Sequence, residues 1–306
     1  MHVKVLLSTF NGEEYIAEQI ESILNQDYKD LSLLIRDDGS LDNTVEKIQY
    51  FTLKYPERVK LIKGHNIGVI NSFRFLLEEA ENGHSFYSFC DQDDVWLPHK
   101  VETAVNTLNK QVETEPLMHF TSTYLTDSKL GVIKVWPSPP TKNLFFYNAL
   151  IENIAVGTTI TINKVAREML LTKNPVEKNI IMHDWWFYLC ISALGEVIYD
   201  PSPSVLYRQH ERNLIGGNKS LRDLILRKYR SFSSNKGSRI LYHQALEFWK
   251  CYENEVKGDV KEQLKLFLEP RNNILKRLIY LKKSRLHRQG IIENVWFKFL
   301  VVIGYI

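Results

Sequence analysis

The chain has 306 residues, 44% apolar and 25% charged, with three cysteines and a formal net charge of +3. That is enough chain for a core in one or two domains, and an ordinary globular composition. Cys90, Cys190 and Cys251 are isolated and odd in number, which excludes a disulfide framework and a cysteine-based zinc site and points to a reducing, cytoplasmic compartment.

The first residues, MHVKVLLSTFNGEEY, carry too short an apolar run and too acidic a follow-on for a secretory leader. No stretch reaches the roughly 20 apolar residues of a spanning helix, so the chain is not expected to be integral to a membrane. Charge is unevenly spread. Residues 219–306 hold 19 Lys and Arg against 8 Asp and Glu, and residues 1–218 hold 20 against 28, an asymmetry that predicts two jobs.

Strand and helix patterns alternate through the first hundred residues. Val3–Ser8 reads as a strand, Asn11-Gly12 as a turn, and Ile16, Ile20, Ile23 and Leu24 recur at helical spacing. Leu31–Ile35 is a second strand, and Asp42 is placed to cap a helix carrying Val45, Ile48 and Phe51. Val59–Ile62, a helix from Gly68, the strand Ser85–Cys90 and a helix with Pro98 in its first turn follow. Further on, Met118–Leu125 and Val132–Val135 read as strands about a turn at Asp127–Gly131, and Pro137–Pro140 as a loop. Gly157–Ile162 reads as a strand leading to a helix from Asn163. His183-Asp184 opens a helix through Trp186, Leu189 and Ile191. Val197–Tyr199 and Val205–Tyr207 are short strands, and 208–217 is a polar exit. Beyond Lys219 only helical, basic patterns remain.

The alternation predicts an α/β fold with a mostly parallel sheet and right-handed crossovers. Ligands in such sheets bind beyond the carboxyl ends of the strands, where Ser8–Gly12, Asp37–Ser40, Lys63–Asn66 and Asp91–Asp94 all fall. Asp91, Asp93 and Asp94 crowd three carboxylates into four residues. The plain reading is a solvated acidic turn; the functional one is a site for Mg²⁺ or Mn²⁺, which oxygen ligands suit. A second acidic pair on the same edge, Asp37-Asp38, tips the balance to function, since an acid there can accept from a base or a ribose, although one of the two can be a turn residue only. There is no GxxxxGK[ST] and no GxGxxG after the first strand, which excludes a P-loop ATPase and a dinucleotide dehydrogenase.

The segments STFNGEEYIAEQIESILNQ, IRDDGSLDNT, NIGVINSF and DQDDVWLPHK resemble, in order, the signatures of family 2 glycosyltransferases with a GT-A fold. VGTTITIN, MHDWWFYL and YRQHERN resemble the acceptor half of the bacterial branch that includes rhamnan and O-antigen rhamnosyltransferases. The match runs over residues 1–217. It implies a Rossmann-like, mostly parallel sheet flanked by helices, with residues 1–115 binding a nucleotide sugar, 116–218 meeting the acceptor, and a helical extension over 219–306. By the resemblance, Thr9 and Asn11 hold the base and ribose and Asp38 contacts the base. Asp91 contacts the sugar nucleotide or supports the metal, Asp93 ligates the metal, and Asp94 is supportive. Asp184 stands in the place of the general base, where many members have Glu-Asp and this chain has His-Asp. Without the resemblance, a helix N-cap is the simpler reading of Asp184. His210 is assigned to the metal or the diphosphate. Arg208 either neutralises phosphate oxygens or pairs with a local acid. Trp185 and Trp186 offer a face to an acceptor sugar, or belong to the core.

The implied reaction is an inverting transfer, with dTDP-β-L-rhamnose the expected donor and a lipid-linked saccharide the expected acceptor. The alternatives are a UDP-hexose donor on the same fold, or a non-catalytic sugar-nucleotide or glycan-binding module. The presence of Asp93 together with Asp184 argues against a module, which needs no base. The basic helices and the closing VWFKFLVVIGYI suit docking at the inner face of a cell membrane, against the simpler packing of the last helix on the rest of the chain. Nucleic acid is not an expected partner, and the sequence leaves the oligomeric state open.

Overall fold

A computed structural model of the chain describes residues 1–81, 83–210 and 239–306. They form two compact units that interleave along the sequence. The first comprises Met1–Pro139, Ala155–Thr172 and 195–210; the second comprises Pro140–Ile154, Lys173–Leu194 and 239–306. The helical unit therefore draws on two segments from the middle of the chain as well as on the tail. The boundary expected at residue 218 and the basic residues Arg222, Arg227, Lys228 and Arg230 lie outside the described residues, as do Glu211–Asn213 of the YRQHERN motif.

The first unit is built on a seven-stranded sheet. Its strands are β1 (Val3–Thr9), β2 (Leu31–Asp37), β3 (Val59–Lys63), β4 (Phe86–Cys90), β6 (Leu117–Thr121), β9 (Thr161–Asn163) and β10 (Glu196–Asp200), in the order β10-β6-β9-β4-β1-β2-β3. Only β9 runs antiparallel to its neighbours. Strands β1 and β2 are buried along nearly their whole length, as a parallel sheet covered on both faces requires. Val3, Val5 and Leu7 pack with Leu31, Leu33 and Ile35 against the apolar stripes of α1 (Ile16–Leu24), α2 (Thr44–Lys54) and α4 (Lys100–Leu108). On the other face lie α3 (Val69–Glu79), whose Phe73 meets Phe89 edge-on, and α6 (Lys164–Leu171), whose Arg167 donates from Nε to the Leu77 carbonyl at 2.8 Å.

A second sheet, not foreseen from the sequence, has the order β5-β11-β7-β8, with β5 Val95–Trp96, β7 Thr123–Thr126, β8 Val132–Trp136 and β11 Val205–Arg208. The single strand read over Met118–Leu125 is two. The chain leaves the main sheet at Ser122, whose N–H bonds the Asp200 carbonyl at 3.2 Å and whose carbonyl accepts from Ser204 N–H at 3.2 Å. Gly157–Thr159 is a 3₁₀ turn rather than strand. It folds so because the Thr159 hydroxyl and N–H both return to the Val156 carbonyl.

The second unit is helical: α5 (Phe146–Ala149), α7 (His183–Leu194), α8 (Ile240–Tyr252), α9 (Gly258–Leu268), α10 (Ile274–Lys283) and α11 (Ile291–Val302). Helix α7 is apolar almost all round, with Trp186 through Ile191 buried, which marks it as the central helix of its unit.

Candidate active site

The parallel register aligns Thr9 with Asp37, and Asp37 with Lys63. The loops after β1, β2, β3 and β4 therefore meet at one edge. Strand order reverses between β1 and β4, the point at which sheets of this kind place their ligand crevice. Thr9 and Gln92 face each other across it. The Thr9 hydroxyl donates to Gln92 Oε1 at 2.7 Å, Phe10 N–H reaches the same oxygen at 2.8 Å, and Gln92 Nε2 returns to the Phe10 carbonyl at 3.3 Å. A Cβ on Gly12 would lie 2.5 Å from Gln92 Oε1, so glycine is what lets the two loops close.

Asn11 sits at φ 50°, a left-handed conformation that asparagine tolerates better than most residues. Its N–H donates to Ser40 Oγ at 2.8 Å and its Oδ1 accepts from Leu41 N–H at 2.9 Å. Asp42 accepts from Glu13 N–H at 3.2 Å and from Thr44 N–H at 3.1 Å, so it ties down the first loop and the turn into α2, but the N-cap of α2 is Asn43 rather than Asp42.

The two acids after β2 have separate surroundings. Asp38 Oδ1 accepts from the Arg36 guanidinium and from Ile67 N–H at 2.9 Å, and its Oδ2 accepts from Gly68 N–H at 3.0 Å, at the start of α3. Asp37 Oδ2 takes the N–H groups of Gly39 and Ser40 at 3.1 and 3.0 Å, while its buried Oδ1 has no hydrogen-bond partner.

Next to the crevice, the acidic turn is divided by burial. Asp93 is partly exposed and its Oδ2 lies 2.8 Å from His210 Nε2; the His210 ring rests on Tyr15, centroids 5.1 Å apart. Asp94 is fully buried, and its Oδ1 accepts from Arg208 N–H at 3.0 Å. Burial pushes the Asp94 carboxyl well above the usual range, Asp93 and Asp91 add to that, and the Arg208 N–H and the Thr158 hydroxyl oppose it. Asp91 is partly exposed at the head of the turn.

Arg208 pins the turn in place. Its Nε donates to the Asp93 carbonyl at 2.9 Å, its Nη1 to the Ser128 carbonyl at 2.7 Å and its Nη2 to Glu18, and the guanidinium carbon stands 4.4 Å from the centroid of the Tyr15 ring. Of the two readings the sequence allowed, pairing with a local acid is the one this geometry displays.

Asp184, Trp185 and Trp186 belong to the second unit. Asp184, the second residue of α7, is buried and accepts from Trp185 N–H at 2.6 Å. Burial pushes the preceding His183 down to about 3, so its imidazole is neutral at pH 7. Trp185 donates from Nε1 to the Ala149 carbonyl at 2.7 Å, and Trp186 packs edge-on against Phe248. The strap before α7 is held by α8: Glu247 accepts from Val176 N–H and Asn179 Nδ2, both at 2.8 Å, and Gln244 Oε1 accepts from Ile181 N–H at 2.9 Å.

Sequence reasoning therefore located Thr9, Asn11, Asp38, Asp91, Asp93, Arg208 and His210 at one edge of the first unit, and Asp184 at a helix start in the second. It passed over Gln92, Glu18, Tyr15, Gln244 and Glu247. Gln92 stands between acids in DQDD and drew no attention because it is neutral. Tyr15 is the N-cap of α1 and Glu18 lies in its first turn, positions that carry no sequence signal of their own.

The donor set suits a divalent cation. A carboxylate and an imidazole, Asp93 and His210, already point at each other, and Mg²⁺ or Mn²⁺ completes its shell with substrate oxygens and water. Among the described residues, no group of three or more His, Cys, Asp and Glu side chains is gathered as a self-sufficient metal cage.

The family model described as glycosyl transferase family 2 matches residues 4–168. A dTDP-rhamnosyl transferase, RfbG, of Shigella flexneri is 29% identical over 227 residues, covering 71% of this chain and 75% of that protein. Among solved structures, residues 1–349 of TarS from S. aureus in complex with UDP-GlcNAc align over 99% of this chain and 82% of theirs, with a TM-score of 0.59 at 15% identity. A mannosyltransferase from Pyrobaculum calidifontis, in complex with GDP-Man and Mn²⁺, aligns over 97% and 88%, with a TM-score of 0.50 at 14% identity. Those two likenesses carry the fold, which is the GT-A fold expected from the sequence. With the family model spanning more than half the chain, this chain belongs to glycosyl transferase family 2.

Proposed function

We propose that this glycosyltransferase moves L-rhamnose from dTDP-β-L-rhamnose to a hydroxyl of a lipid-linked saccharide, with inversion at the anomeric carbon, in the building of a bacterial surface polysaccharide. The observation that carries the catalytic reading is the Asp93–His210 pair beside the crevice at the sheet's reversal point. The rhamnosyl donor rests on the likeness to the Shigella flexneri protein.

In this reading the loops of Thr9, Asn11 and Asp38 receive the nucleoside, and Asp91 meets the sugar diphosphate. Asp93 and His210 would hold Mg²⁺ or Mn²⁺, which when bound offsets the negative charge developing on the leaving diphosphate. Arg208 keeps the Asp93–Asp94 turn in position. Asp184 takes the proton of the acceptor hydroxyl as it attacks, and His183, neutral beside it, adds no competing positive charge. Trp185, which is partly exposed, stands on the acceptor side, while Trp186 is buried and serves the core of its unit. A donor panel tests the proposal: acceptor-dependent release of dTDP from dTDP-rhamnose supports it, and release of UDP from a UDP-hexose in its place replaces the donor.

A further inference from the structure

Helices α10 and α11 leave apolar side chains exposed at regular spacing. On α10, Leu275, Leu278 and Ile279 lie on one side, and Leu275 is 65% exposed; Tyr280 is the only residue of that helix that is buried. On α11, Ile292, Val295 and Phe299 follow at i, i+3 and i+7, and the first two are 61% and 63% exposed. Its buried residues are Phe297, Leu300 and Val301. The two helices are joined, since Arg277 of α10 donates from Nη1 to the Val302 carbonyl of α11 at 3.0 Å. Stripes of this kind normally face a core, and large apolar side chains left exposed together mark an interaction site.

The charges around it identify the occupant. Lys276, Lys282, Lys283 and Lys298 are exposed on the same two helices, whose only acid is Glu293. An isologous contact with a second copy would set these cations against each other. Residues 211–238 of this chain, with 7 Lys and Arg against 2 Asp and Glu, have the same sign and do not complement the face either. Among the described residues no helix is long and apolar enough to cross a membrane. Apolar stripes flanked by lysines on helices too short to span match a surface that lies in the headgroup layer of an anionic bilayer.

We infer that α10 and α11 together form a docking face for an anionic lipid surface, with Leu275, Leu278, Ile279, Ile292, Val295 and Phe299 entering the headgroup layer and the four lysines meeting lipid phosphates. The inference deepens the reading of a lipid-linked acceptor, and concerns residues apart from the crevice.

The test is flotation of the full chain with vesicles of phosphatidylcholine alone, or containing phosphatidylglycerol. Beside it stand Leu275→Ser/Leu278→Ser, Val295→Ser/Phe299→Ser and Lys282→Gln/Lys283→Gln, all at exposed positions, with circular dichroism confirming the fold. Binding that needs phosphatidylglycerol and weakens about tenfold or more in each pair supports the face. Binding unchanged by the serine pairs, or absent from both vesicles, overturns it. So does self-association in sedimentation velocity that the serine pairs abolish, which would make the occupant a second copy. Asp93→Asn separates the two readings, because it should abolish transfer and leave flotation intact.

Discussion

Replacing Arg208 by lysine keeps the charge and removes the fork. If the residue served chiefly as a positive charge for the diphosphate, Arg208→Lys would cost little. The structure predicts otherwise, because three of the guanidinium nitrogens donate to three acceptors contributed by Asp93, Ser128 and Glu18. Glu18 is 51% exposed, so water replaces its half of the ion pair and that loss is small. The guanidinium itself is buried. One ammonium cannot reach both carbonyls, and each hydrogen bond lost from a charged donor costs about 1.5–3 kcal/mol. With the contact on Tyr15 also lost, Arg208→Lys should lower unfolding free energy by about 2–4 kcal/mol. Urea denaturation measures that loss. Titration calorimetry with the nucleotide sugar should show donor affinity falling with it, as the Asp93–Asp94 turn loosens. A variant within about 1 kcal/mol of the parent, with donor affinity reduced, would refute the pin and restore the phosphate role.

Gly12→Ala should push Gln92 aside, since the new Cβ would lie 2.5 Å from Oε1. Because Gln92 is flexible, stability should change by only about 1 kcal/mol while the Michaelis constant for the donor rises, read by steady-state kinetics. Glu247→Ala leaves Val176 N–H and Asn179 Nδ2 without their acceptor. It should lower kcat through the strap leading to Asp184 with little change in donor affinity, and an unchanged kcat would count against that route. Burial holds His119 down at about 4 against an ordinary 6.5, and neither ring nitrogen has a hydrogen-bond partner. Between those values the unfolded chain takes up a proton that the folded chain refuses. Stability is therefore lost as pH falls from 6.5 toward 4, by on the order of 3 kcal/mol from this residue. His119→Met should flatten that slope in urea melts at pH 7 and 5, and an unaltered slope would show that His119 does not cause it.

The parallel core was legible because apolar runs, turn residues and helical spacing agree over the first hundred residues, and β1 to β4 lie where those patterns place them. The second sheet was not. Two of its strands, at Val132–Val135 and Val205–Tyr207, did register, but the two-residue Val95–Trp96 is too short to, and no local pattern shows that Val205–Arg208 pairs with Thr123–Thr126, some eighty residues back in sequence. The acids at the edge were legible as chemistry, since charge crowded at strand ends is unusual whatever its partners. Their division of labour was not, because burial sets it. Asp94 lies beneath the turn and Asp93 at its surface, although the two are adjacent in DQDD. Likewise no local pattern could show that Glu247 on a distant helix holds the strap before Asp184.

The central claim is transfer from a nucleotide sugar at the edge that carries Asp93. The most direct measurement is release of nucleoside diphosphate by the full chain from dTDP-rhamnose and from UDP-sugars, with Mg²⁺ or Mn²⁺ and with EDTA, with and without a lipid-linked saccharide acceptor, beside Asp93→Asn and Asp184→Asn. The account predicts acceptor-stimulated dTDP release that EDTA and both substitutions abolish. Donor binding with no release to any acceptor, alike in the parent and in Asp184→Asn, would contradict it and leave a binding module.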